Sequence, residues 1–120
     1  MSIPDQAYRA LPLLIEVAEN PHMVVHGRYA GKITYKDLAQ LIGGSTRHMG
    51  KVCCYIRDEI TRPRNLPYLN SLVVNVKTRY PTEIDTGDTP EKAKHKFPQR
   101  SQAVYAYNKW QSLIKELGMA

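Results

Sequence analysis

No stretch of this chain approaches the roughly 18 apolar residues that a membrane span needs. The opening Met1-Ser2-Ile3-Pro4-Asp5 lacks the basic start and apolar run of a secretory leader, so the expected address is cytoplasmic, away from membranes. Cysteine is scarce: Cys53 and Cys54 are adjacent, poorly placed to pair with each other or to staple a fold. No CxxC completes a zinc site, and no phosphate loop or GxSxG turn is present. Acid is short as well. Asp and Glu number 11 against 17 Lys and Arg, a formal charge of +6, which points toward a polyanionic partner.

What is there is an ordinary globular composition, 42% hydrophobic and 23% charged, which excludes a disordered chain and suits a single domain over residues 1–120. The basic excess is concentrated. From Ser45 to Arg79, seven basic residues stand against two acids, a net +5. A second group, Lys92, Lys94, Lys96 and Arg100, falls in a stretch rich in Pro, Thr, Asp, Gly and Lys that reads as a mobile loop over 81–100. That loop could hold a phosphate backbone or simply be solvated.

The helical spacing of Leu11, Leu14, Ile15 and Ala18 predicts a first helix over 5–20, capped by Asp5 and kinked or begun near Pro12. Met23-Val24-Val25 suits a short strand, and Gly27 to Gly31 a turn-rich connector. Thr34 and Asp37 form a capping-box-like pair, Ile33 and Leu38 a hydrophobic staple, and Leu38, Leu41 and Ile42 a buried stripe closed by Gly43-Gly44. Ser45 at once caps another helix, over 45–61. Its Met49, Val52, Cys53, Ile56 and Ile60 point inward, and Arg47, His48, Lys51, Tyr55 and Asp58 outward. Arg62-Pro63-Arg64-Asn65 breaks that helix. Leu72 to Val76 then reads as a strand, followed by a second strand or loop over 77–81. Ser101 to Leu117 is a closing helix whose Tyr105, Tyr107 and Trp110 suit a core or a homodimer contact.

These readings predict a mainly α fold with a small β element: a winged helix-turn-helix with extra N- and C-terminal helices. Helix 45–61 is the expected recognition helix. Ser45, Thr46, Arg47, His48 and Lys51 stand at its head, where backbone N–H groups also favour phosphate. Thr34 and Tyr35 would touch phosphate at the entry of the preceding helix, and Asn70, Lys77 and Arg79 would belong to the wing.

Thr34-Tyr35-Lys36-Asp37-Leu38-Ala39 and Thr46-Arg47-His48-Met49-Gly50 resemble the DNA-binding domain of the O6-alkylguanine-DNA alkyltransferases and alkyltransferase-like proteins. Those carry Thr/Ser-Tyr-Gly-Asp/Glu-Ile/Leu-Ala, then Ser/Pro-Arg-Ala-Val-Gly. The likeness runs on through Leu66-Pro67 to Val73-Val74-Asn75 and covers roughly residues 30–76. It implies a winged helix that enters the minor groove, with Arg47 filling the gap left by an extruded base and Tyr35 crowding the phosphate to rotate the nucleotide out. A ring packed at a helix start is the plainer role for Tyr35. The family's Pro-Cys-His-Arg, in which His activates the thiolate, is replaced here by Pro67-Tyr68-Leu69-Asn70-Ser71-Leu72, so alkyl transfer is not expected.

Cys53 sits on the buried stripe, and His22 and His26, four apart, lie in a non-helical stretch, so neither a replacement nucleophile nor a metal site is expected and no cofactor is called for. The expectation is a non-enzymatic binder of double-stranded DNA, a regulator or accessory factor. The alternatives are a reader of modified or flipped bases, or an adaptor that binds a protein partner through a winged helix.

Overall fold

The computed structural model describes residues 2–76 and 90–119, with side chains of the long C-terminal helix described from Phe97 onward. It is mainly helical, with one two-stranded parallel sheet. The expected second strand over 77–81, and the part of the expected loop over 81–89, lie outside the described residues. Among the described residues no helix is long and apolar enough to cross a membrane.

Helix α1 spans Ile3–Glu19. Its cap is Ser2, whose Oγ accepts from the Asp5 N–H at 3.2 Å, so Asp5 lies inside the first turn and not at the cap. Pro12 does not end the helix. Ala10, Leu11, Leu14, Ile15, Val17 and Ala18 are all buried around it, and that burial outweighs the roughly 3 kcal/mol an interior proline costs. No strand forms at Met23-Val24-Val25. Asn20-Pro21 turns the chain there and leaves Met23 and Val24 more than half exposed, with no edge to pair against.

Strands β1 (Ile33–Thr34) and β2 (Val73–Val74) pair in parallel, Ile33 opposite Val73 and Thr34 opposite Val74. All four are buried, so the sheet stitches the entry of helix α2 (Tyr35–Ile42) to a segment 40 residues later. Thr34 caps α2, its Oγ1 accepting from the Asp37 N–H at 3.1 Å. The Asp37 carboxylate, a methylene shorter than that of Glu, turns to Arg28 (Nε to Oδ2 3.4 Å). Leu38, Ala39 and Ile42 face the core, but Leu41 is 51% exposed and does not belong to the stripe. Gly43 ends the helix in the left-handed region (φ 72°). Its N–H bonds the Gln40 carbonyl and that of Gly44 bonds Ala39, a Schellman closure. Replacing Thr34 by Ala should cost about 1 kcal/mol, read as a lower urea midpoint at unchanged slope, while Thr34→Ser keeps most of the stability.

The next helix keeps its predicted inward face: Met49, Val52, Cys53, Ile56 and Ile60 are buried. Its pitch changes along the way. Thr46–His48 is a 3-10 turn, α3 proper is Met49–Tyr55, Ile56–Thr61 is a π turn, and Arg62–Arg64 is again 3-10, ended by left-handed Asn65 (φ 59°). The helical run thus passes the expected break at Arg62. Thr61 Oγ1 donates to the Arg57 carbonyl at 3.1 Å within the widened turn, and Pro63 has no N–H to give a further α-helical bond.

Helix α4 spans Pro90–Ala106, which corrects the expected loop over 90–100. The turn-forming residues lie before it, and Glu91-Lys92-Ala93-Lys94 are good helix formers behind a proline suited to the first position. The single closing helix expected over 101–117 is interrupted at 107–109, and α5 is Trp110–Glu116. Trp110, Leu113 and Ile114 are buried, packed into the same core as α1.

Candidate nucleic-acid interface

The Gly43-Gly44 closure and the Ser45 cap leave only three residues between α2 and the next helical turn. Ser45 Oγ accepts from the Arg47 N–H at 3.3 Å, and the His48 N–H bonds the Ser45 carbonyl at 2.9 Å. The first turn is thereby fixed by local bonds, while the side chains of Ser45, Thr46, Arg47, His48 and Lys51 are all exposed.

Charge pairing separates the cations of this region into two kinds. Arg57 makes a two-point pair with Asp58 (2.8 and 3.1 Å), Arg62 lies 3.6 Å from the same carboxylate, and Arg64 pairs with Glu116. The Arg57 guanidinium holds the Asp58 carboxyl below the usual carboxylate range. Arg47, His48 and Lys51 have no acidic partner among the described residues. Lys36, which the sequence reading passed over, is equally exposed and equally without an acid. Its signal was present: a lysine in the first turn of a helix opposes the helix dipole and gains nothing locally.

Between these groups lies a cavity of about 300 Å³ lined by Thr34, Tyr35, Lys36, Thr46, Gly50, Asn75 and Val76. It joins the first turn of α2, the head of α3 and the exit from β2. Tyr35 and Thr34 belong to its wall and not to the outer surface. Thr34 is 1% exposed with its hydroxyl committed to the cap, and Tyr35 is 9% exposed, so both face the cavity and not the outer surface where phosphate contacts were expected. Asn70 is also buried. The 3-10 turn Leu69–Leu72 lies wholly in the core, which removes Asn70 from a wing contact. Lys77 and Arg79 lie outside the described residues. From the second basic group, Arg100 sits over the Tyr68 ring (5.3 Å to its centroid).

Burial pushes the Cys53 thiol far up, and burial also raises Cys54 despite the opposing Arg57, so both stay protonated near neutral pH. His26 Nε2 lies 3.0 Å from Glu16 Oε2, tying the connector to α1. Among the described residues no three His, Cys, Asp or Glu side chains gather as a metal site.

Set beside known proteins, the chain matches no family model, no curated protein and no solved structure.

Proposed function

We propose that the chain is a non-enzymatic DNA-binding protein, a regulator or accessory factor, built as a winged helix-turn-helix whose recognition head is Ser45 to Lys51. The observation that carries this reading is the set of exposed cations Lys36, Arg47 and Lys51, none with an acidic partner among the described residues, while Arg57, Arg62 and Arg64 beside them each lie against a carboxylate, the first two sharing Asp58. Cations at a helix N-terminus weaken the fold. A polyanion reverses that cost, since phosphate is attracted by the side chains and by the positive end of the helix dipole. The sharp junction after α2 supports presentation of this head to a groove.

The test is fluorescence anisotropy on a labelled duplex at two salt concentrations. Affinity should fall with salt, each phosphate contact adding about 0.9 to the log-log slope. Arg47→Ala should weaken binding by about 5- to 100-fold without lowering the melting temperature. Absence of duplex binding at low salt overturns the proposal.

The cavity beside Tyr35 and Thr46 favours a second reading, an alkyltransferase-like reader that takes a flipped or modified base. A duplex carrying O6-methylguanine would then bind more tightly than its plain counterpart, and Tyr35→Ala would erase that difference. Equal affinity for the two duplexes removes this second reading and leaves the first.

A further inference from the structure

We propose that Tyr8 and Tyr55 form a platform for one unpaired base of the DNA strand whose phosphates lie on Arg47 and Lys51, so that the preferred ligand is duplex flanked by single strand. The inference rests on the DNA-binding reading above. Lys51 and Tyr55 are four residues apart within α3, which stacks them on one helix face at a step of about 6 Å, and Arg47 stands in the 3-10 turn that leads into it. The face therefore passes within one turn from exposed Lys51 to half-buried Tyr55, which packs against the core.

Tyr8 reaches this face from α1. Its ring meets that of Tyr55 edge to face, centroids 6.2 Å apart and planes at 72°. The neighbouring Tyr8 hydroxyl is the main cause that holds the Tyr55 phenol above its ordinary range, and Tyr55 is packed against the core. Tyr8 is 37% exposed, although Ala7, Ala10 and Leu11 beside it are fully buried. The rings are thus set in place before any ligand arrives, and little side-chain freedom remains to be lost.

Charge decides which part of a nucleotide fits there. Beyond Tyr55 the sign inverts: exposed Glu59 follows four residues later and acts on the Tyr55 phenol, and exposed Asp5 precedes Tyr8 by one turn of α1. With Arg9 and Lys51 offset by Asp5 and Glu59, the rings hold no net positive charge to draw a phosphate. A neutral base needs no such charge, and it can stack on a tyrosine face. A base inside a duplex has both faces covered by its neighbours, so only an unpaired one can use the platform. Aromatic stacking of one base tightens binding by about 5- to 150-fold.

Anisotropy with a blunt duplex and with the same duplex bearing a three-nucleotide overhang, on either strand end, tests this. The wild type should bind one overhang polarity about tenfold more tightly than the blunt form. Tyr8→Leu, which keeps an apolar body against Tyr55, should erase that preference and leave blunt binding unchanged, while Tyr8→Phe should retain it. In the wild type, 2-aminopurine at the first unpaired position should be quenched on binding, a readout that needs no variant to fold. Equal affinity for blunt and overhang DNA, a preference that survives in Tyr8→Leu, or unquenched 2-aminopurine overturns the platform. Failure of the wild type to bind either DNA overturns the DNA-binding reading, and the platform with it.

Discussion

Arg47→Glu combined with Lys51→Glu should abolish duplex binding while the folded chain melts no lower than the parent. Both side chains are exposed and neither has an acidic partner among the described residues, so their removal breaks no ion pair there. Carboxylates near a helix N-terminus suit the dipole better than cations do, so stability should hold or rise. Binding responds in the opposite direction. Two phosphate contacts disappear, which flattens the salt slope by about 1.8, and two new negative charges face the backbone. A loss of about a thousandfold is expected at moderate salt, measured by anisotropy beside a thermal melt. Undiminished binding would remove the head of α3 as the reading element. The control is Arg57→Ala, which breaks the pair with Asp58 and should lower stability more than it lowers DNA affinity.

The largest expected effect on stability lies at Trp110. Its indole is 1% exposed, donates from Nε1 to the Val104 carbonyl at 3.2 Å, and meets Tyr107 edge to face at 4.7 Å. It holds the break between α4 and α5 closed against the core. Trp110→Ala should cost about 3–5 kcal/mol, a large share of the roughly 5–15 kcal/mol available to a domain. Urea titration should show the midpoint falling accordingly. Trp110→Phe should cost less, because the ring still fills most of the space and only the bond to Val104 is lost. A small effect of Trp110→Ala would mean that α5 contributes little to the folded unit.

The two outcomes would separate surface from core in the same molecule, and they differ in how far each was visible beforehand. The inward face of α3 was legible from spacing alone, since Met49, Val52, Cys53, Ile56 and Ile60 occupy one side of any helical register. The cap at Thr34 and the closure at Gly43-Gly44 were legible because each depends on atoms three to five residues apart. Leu41, Asn70 and the strand expected at Met23 to Val25 were misread for a shared reason. Residue type indicates a preference for core or surface, and the neighbours that grant or deny it come from distant segments. The part of the expected loop over 90–100 was misread locally, where turn residues before Pro90 obscured the helix formers after it.

By itself the sequence determined the local elements: the α2–turn–α3 junction, the outward head from Ser45 to Lys51, and the absence of the alkyltransferase nucleophile motif. Their causes are short-range bonds and helical periodicity, which need no knowledge of the rest of the chain. Only the tertiary structure decided which cations stay uncompensated, because Arg64 meets Glu116 from 52 residues away. The same holds for the burial of Thr34, where β2 closes over β1, and for the pairing of Tyr8 with Tyr55, which depends on how α1 crosses α3. Coulombic and packing energies act between atoms adjacent in space, and adjacency in space is what the fold adds.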